Sequence, residues 1–508
     1  MASSAARPRP PASSGPRSWL ERLWSSLSLP GTGGSGGGKP ATVALDPLER
    51  ARRLAKALSS GRGEASGAAV AQELLSSLRA LDAAGRLDFY RFLADGFQPD
   101  VACLRRAAQA YLDDPSATSA AELANAVEPP RQEVLRRMNQ SPGGTAALVA
   151  MRKELFGHLK AEPSLQNLDN DLKHLFTSWF NRGFLELRRI DWQSPAAVLE
   201  KLIAYEAVHE IQGWDDLRRR LAGDRRCFGF FHPALPGEPL IFVEVALVDG
   251  LAADVQSLLE PLASGERDQA ATGATDADTA IFYSISNCQD GLRGISFGNF
   301  LIKQVVEELK VELPQLKCFS TLSPVPGFRR WNEKRLAAAA AKGDGQAGAG
   351  ELAGAEAPAL TDAALSQALE TGGWWAEPAL AQSLREPLTR LCATYLTSTV
   401  GPRRSQDPVA KFHLSNGARL ERINWLGNTA ARGLKESYGL MVNYVYDPDM
   451  IEANHEAFAE DGTVARSAQI DALLAGAEAP SKSKGSRRSA RLSLSVESLW
   501  PARREGHG

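Results

Sequence analysis

Apolar positions in the first third of the chain recur with a helical period. Leu74, Leu75, Leu78 and Leu81 fall on one helix face, and Leu165, Leu168, Leu172 and Leu175 with Trp179 fall on another. Pro129-Pro130 and the segment 141–144 punctuate this region, and no run of β-branched alternation interrupts it. Residues 46 to 190 are therefore predicted to be helical. Ser194-Pro195 opens a further helix with Val198, Leu199, Leu202 and Ile203 on its apolar face, and a short one runs from Trp214 to Leu221. There the period changes. Arg226–His232, Pro239–Val248, Ala280–Ser286, Lys317–Leu322 and Leu440–Tyr446 read as strands. The second is apolar on both faces apart from Glu244, which predicts a covered, central strand. A helix with Ile302, Val305, Val306 and Leu309 inside separates the third and fourth, another spans about 378 to 397, and Lys411–Gly417 reads as a short extended run.

The fold class expected is thus α followed by α/β, a helical bundle and then a mixed sheet. Composition refines the boundaries. Residues 1–42 are rich in Pro, Ser, Gly and Arg and read as a disordered leader, although Ser18–Leu27 has an amphipathic pattern and the Arg/Ser bias with a single acid resembles a mitochondrial transit peptide. Residues 43–190 form the expected helical domain and 191–466 the α/β domain, with an Ala/Gly-rich insertion at 337–370; 467–508 reads as a disordered basic tail.

Charge excludes one class of function. The chain has 58 Lys+Arg against 60 Asp+Glu, a net charge of −2, so it lacks the basic footprint of a nucleic-acid binder. The five cysteines form no Cys-x-x-Cys pair, which argues against a zinc site or a disulfide framework. No segment has the apolar length of a membrane span. The expectation is a cytoplasmic protein, with the mitochondrial matrix as the alternative.

Candidate chemistry lies at three places. Between the third strand and the helix after it, Gly291, Gly294 and Gly298 allow successive backbone N–H groups to face one concavity beside a helix N-terminus, and Arg293 adds a cation. Such glycines alone suit a plain connection better. Arg293, Gly294 and Gly298 with Leu301 and Ile302, however, resemble the pyrophosphate loop of GNAT-type acyl-CoA acyltransferases, and the segment lacks the endings of a P-loop or a dinucleotide fingerprint. Ser323 follows the next strand, held by Pro324 and the Pro326-Gly327 turn; on spacing alone it also reads as a turn-capping hydroxyl. His413 sits between Phe412 and Leu414 before Asn416-Gly417, an orientation suited to proton transfer and equally to a structural histidine. The other six histidines fall on helix patterns, in a turn, in a polar stretch near the end of the domain or in the tail.

Taken in order, Phe184–Ile211, the loop at 289–303, Leu322–Phe328, Phe412–Ala418, Arg422–Trp425 and Gly439–Tyr446 resemble malonyl-CoA decarboxylases over about residues 45 to 462. That resemblance implies a helical domain that mediates homo-oligomerisation and a GNAT-like mixed α/β domain. It implies conversion of malonyl-CoA to acetyl-CoA and CO2 with no metal or organic cofactor, coenzyme A being part of the substrate. By position, the catalytic serine falls on Ser323 and the histidine on His413, with Ser284 and Tyr446 in support. The CoA loop falls on Arg293, Gly294, Ile295, Ser296, Phe297, Gly298 and Asn299. Ser296 stands where some members carry Glu, which puts a carboxylate role there in doubt.

Decarboxylation of a β-carboxyl thioester leaves an enolate. Hydrogen-bond donors aimed at its oxygen and a positioned acid for its carbon are the groups the reaction needs. Phe328, Trp331 and Trp425 are candidates for an apolar wall around the leaving carboxylate. Two further readings share the fold: an acyl-CoA-dependent N-acyltransferase and a non-catalytic malonyl-CoA sensor.

Overall fold

A computed structural model describes residues 46–60, 64–260, 276–295, 301–341, 361–398 and 405–475. Eight helices come first: α1 Pro47–Ser59, α2 Glu64–Arg79, α3 Ala83–Gly96, α4 Val101–Asp113, α5 Ala117–Val127, α6 Pro130–Asn139, α7 Gly144–Phe156 and α8 Gln166–Trp179. Asp46, Asp82, Asp100 and Ser116 cap the first turns of α1, α3, α4 and α5 with their side-chain oxygens. The leucines predicted to be internal at 74, 75, 78, 165, 168, 172 and 175 are all buried.

An eight-stranded sheet follows: β1 Glu186–Ile190, β2 Arg225–Phe231, β3 Pro239–Val248, β4 Thr279–Asn287, β5 Cys318–Thr321, β6 Ser323–Pro324, β7 Arg419–Asn424 and β8 Met441–Val445. The order is β1-β2-β3-β4-β5-β8-β6, with β7 also on β8; β4 and β5 are parallel and every other pair is antiparallel. A helical part followed by a mixed α/β sheet is the fold class the patterning predicted. As expected, β3 is central and buried almost throughout.

Helices α9 Ala196–Tyr205 and α10 Trp214–Arg220 pack on one face of the sheet. On the other face, α11 Leu301–Glu312 and the N-terminal helices share one continuous apolar core with Phe282, Phe319 and Tyr444. Four more helices follow, α12 Phe328–Ala341, α13 Asp362–Glu370, α14 Pro378–Thr397 and α15 Pro408–Ser415, and others lie at Gln256–Leu259, Ala431–Ser437 and Ile451–Glu460.

Several sequence expectations need correction. The helical region stops short of 190, because Glu186–Ile190 pairs with β2 in the sheet; Arg188 and Arg189 hide it from apolar patterning. The helix after Ser194-Pro195 starts at Ala196 with Pro195 at its cap, and the Ser194 hydroxyl instead accepts from the Asp191 N–H. Both ends of the expected insertion are helical, α12 reaching Ala341 and α13 burying Leu365, while 342–360 lie outside the described residues. The first part of the expected tail is helical, since α16 Ala468–Ala475 buries Ile470. The expected leader and residues 476–508 lie outside the described part.

Candidate active site

His413 lies on a helix, not in an extended run. Asp407 caps α15 by accepting from the Val409 and Ala410 N–H groups at 2.9 and 3.0 Å, and Pro408 occupies the first turn, so the chain enters a helix where flanking Phe412 and Leu414 suggested alternation. The same carboxylate accepts from the Gly327 N–H at 3.3 Å. Gly327 has no Cβ to obstruct this approach; one would stand 2.2 Å from the Tyr395 hydroxyl. Asp407 thereby ties the turn after Ser323 to the helix that carries His413. Replacing Asp407 with alanine is expected to cost about 1 to 2 kcal/mol of stability and to lower kcat as well. A denaturant titration paired with a kcat measurement checks this, and a variant that loses stability alone would show that the tie does not set the site geometry.

Ser323 and His413 meet in the core, 5% and 3% exposed. The Ser323 hydroxyl is 2.9 Å from His413 Nε2 and 2.9 Å from the Thr321 hydroxyl, and His413 Nδ1 is 2.8 Å from the Tyr446 hydroxyl. Tyr446 is held just beyond β8 by its N–H donating to the Phe319 carbonyl at 2.8 Å. The imidazole stacks on Tyr444, centroids 4.6 Å apart. Ser323, His413 and Tyr446, three positions chosen from sequence, are thus one hydrogen-bonded chain. Thr321 is a fourth member that spacing did not reveal.

Burial pushes the His413 pKa down to about 3 and raises that of Tyr446 well above the usual phenol range. Both are therefore neutral at pH 7. A neutral imidazole donates from one nitrogen and accepts at the other, so the chain has a direction. In one direction Tyr446 donates to Nδ1, Nε2–H donates to Ser323, and Ser323 donates to Thr321. In the other, Ser323 donates to Nε2 and Nδ1–H donates to Tyr446. Reversal moves a proton along the chain without a buried imidazolium.

Because the folded-state pKa lies below the ordinary histidine value near 6.5, charging His413 opposes the folded site only as pH falls from about 6.5 towards 3. The kcat/KM profile is expected to show no histidine inflection near pH 6.5. An acid limb centred there would place an imidazolium in the working enzyme.

Ser284 does not join this chain. A register shift opposite Glu244 and Val245 leaves Tyr283 as an extra residue in β4, which turns Ser284 and Ser286 to the sheet face under α9 and α10. There Ser284 donates to Glu206, 2.7 and 2.8 Å from its two carboxylate oxygens, and Ser286 donates at 3.1 Å. Glu206 also accepts the Val208 and His209 N–H groups. Nearby, Arg220 donates to Glu244, whose carboxyl is pushed up to about 8 by burial and by the charge of Glu206. Sequence reading missed Glu206. A carboxylate in the turn after an apolar helix was the only local sign of it.

The three rings expected to form an apolar wall pack among other aromatic side chains. Phe328 and Trp331 pack with Tyr395, Phe328 also against Tyr438, and Trp425 packs against Trp374. Tyr444 stacks on His413, and the Phe412 ring meets it edge-on with centroids 5.1 Å apart.

Of the expected CoA loop, Arg293, Gly294 and Ile295 are described, and Ser296, Phe297, Gly298 and Asn299 lie outside the described residues. Arg293 is exposed, and Gly294 has a left-handed φ of 77°. Gly291 has a packing reason for being glycine, since a Cβ there would stand 2.0 Å from the Val149 carbonyl oxygen.

Comparison with known proteins gives the chemistry its context. A family model described as the malonyl-CoA decarboxylase C-terminal domain matches residues 183–484, and one for the N-terminal domain matches 97–180. Malonyl-CoA decarboxylase, mitochondrial, of Anser anser anser is 39% identical over 354 residues, 67% of this chain and 69% of the relative. Its Rattus norvegicus counterpart is 36% identical over 369 residues, 70% and 73% of the two chains. The crystal structure of malonyl-CoA decarboxylase from Rhodopseudomonas palustris shares 49% identity at a TM-score of 0.73, covering 83% of this chain and 98% of that one. The structure from Agrobacterium vitis shares 48% at 0.73, covering 84% and 99%.

A helical part, a mixed sheet and a buried Ser–His–Tyr chain, seen with these matches, define a carboxy-lyase. The chain belongs to the malonyl-CoA decarboxylase family.

Proposed function

We propose that Ser323, His413 and Tyr446 carry out the proton transfer of malonyl-CoA decarboxylation. The continuous hydrogen-bonded chain from Tyr446 through His413 to Ser323 is the observation that carries this reading. The bond between the substrate α-carbon and its carboxylate breaks, CO2 leaves, and the electron pair passes into the thioester as an enolate. The α-carbon then takes the Ser323 proton while Nε2–H refills Ser323 and the Tyr446 O–H refills Nδ1; a solvent proton entering at Ser323 reverses these shifts, returning a proton to Nε2 and the Nδ1 proton to Tyr446, and so restores the chain. The thioester is itself the electron sink, so these steps require no metal or organic cofactor.

Arg293 to Asn299 are read as the segment that holds the CoA pyrophosphate. The exposed cation of Arg293 and the left-handed backbone at Gly294 support that assignment. The helical region is read as the surface for homo-oligomerisation, supported by Val101, Leu112 and Val127, which α4 and α5 leave exposed; light scattering of the purified chain tests it.

Among the described residues no helix is long and apolar enough to cross a membrane. Cytoplasm remains our reading of the compartment. The two animal relatives carry a mitochondrial label, and sequencing the N-terminus of native protein discriminates between cytoplasm and matrix.

Incubation with malonyl-CoA alone is the functional test. Release of acetyl-CoA and CO2 in equal amounts is the expected outcome. Transfer of the acyl group only when an amine is added would favour an N-acyltransferase, and intact substrate a sensor.

A further inference from the structure

The helical part reaches across the molecule to the loop read as the CoA site. Arg152 on α7 is 2% exposed. Its Nη1 donates to the carbonyls of Gly291 and Arg293, at 2.8 and 2.9 Å, and its Nε donates to Asp169 on α8 at 2.8 Å. Three neighbouring contacts hold the same segment. The backbone of Gly291 packs directly on that of Val149; Lys153 pairs with Asp290 at 2.9 Å; and the guanidinium groups of Arg152 and Arg293 lie 4.8 and 5.3 Å from the Phe156 ring centroid.

Peptide planarity gives this clamp a directional consequence. The Arg293 carbonyl and the Gly294 N–H belong to one trans peptide, so they point in opposite senses. Drawing the carbonyl oxygen onto Arg152 aims the Gly294 N–H away from α7, at a residue whose φ of 77° suits glycine. Asp169 balances the charge of Arg152, so the guanidinium acts by holding geometry and not by attracting phosphate.

We propose that Arg152 is a positioning residue for the acyl-CoA substrate, through which the helical part sets the affinity of a loop belonging to the sheet domain. This rests on the reading of Arg293 to Asn299 as the CoA loop. Lysine keeps a cation beside Asp169 but lacks the planar fork that serves two carbonyls and a carboxylate together. In the full-length protein, R152K is expected to raise both the Kd for free CoA and the KM for malonyl-CoA about tenfold, with kcat changed less than about twofold.

Arg293→Ala tests the loop reading separately. Weaker CoA binding in both variants supports the proposal. Weaker binding in R293A alone overturns the role of Arg152 and leaves the loop reading standing, whereas no change in either overturns both. A fall in kcat in R152K together with a lower Tm and an unaltered Kd would make Arg152 merely structural, which also overturns it.

Coupling is reciprocal, so a second measurement needs no variant. Free CoA added to the wild-type chain is expected to slow amide hydrogen exchange in Gly144–Phe156. Unchanged exchange at saturating CoA would overturn the proposal.

Discussion

His413→Ala is expected to lower kcat by about 10²- to 10⁴-fold while free CoA binds with unchanged Kd. Alanine removes the link between Tyr446 and Ser323, and no other described residue bridges those two hydroxyls. The affinity should survive because the loop read as holding CoA lies beyond β4, on a segment fixed by α7. Rapid-quench turnover measured alongside calorimetric CoA titration separates the two effects. A weakened Kd with intact kcat would make His413 a structural or binding residue.

Ser323→Ala is expected to cost about 100-fold in kcat, the loss typical of removing one positioned hydrogen-bond donor from a reacting site. The serine sits at the start of β6, opposite Val442, and its hydroxyl is shared between Thr321 and His413. The Thr321 hydroxyl also accepts the Tyr444 N–H, which fixes the oxygen to which Ser323 donates. Turnover of the variant near the wild-type level would shift the proton-donating role to another group.

The residues that were legible and those that were not differ for physical reasons. Strands β2, β3, β4 and β8 were readable because a covered sheet demands continuous apolar runs, and Phe228, Val243, Phe282 and Val442 supply them. β1 was not, because the arginines at 188 and 189 serve a partly exposed edge strand. His413 was singled out by its chemistry but placed in the wrong element: the Asn416-Gly417 turn outweighed Asp407-Pro408, which is a helix start. The bulge beside Ser284 was not legible either, and one inserted residue in β4 reverses which face the following side chains occupy. Glu206 and Arg152 escaped notice because their partners lie 78 and 139 residues away in sequence, and no local period records such a pairing.

Whether Ser323 and His413 act as one unit is measured most directly by a double-mutant cycle on kcat. The account predicts that Ser323→Ala combined with His413→Ala falls no further than His413→Ala alone, because a broken chain cannot be broken twice. Losses that multiply, so that the double variant falls by the product of the two single effects, would contradict it.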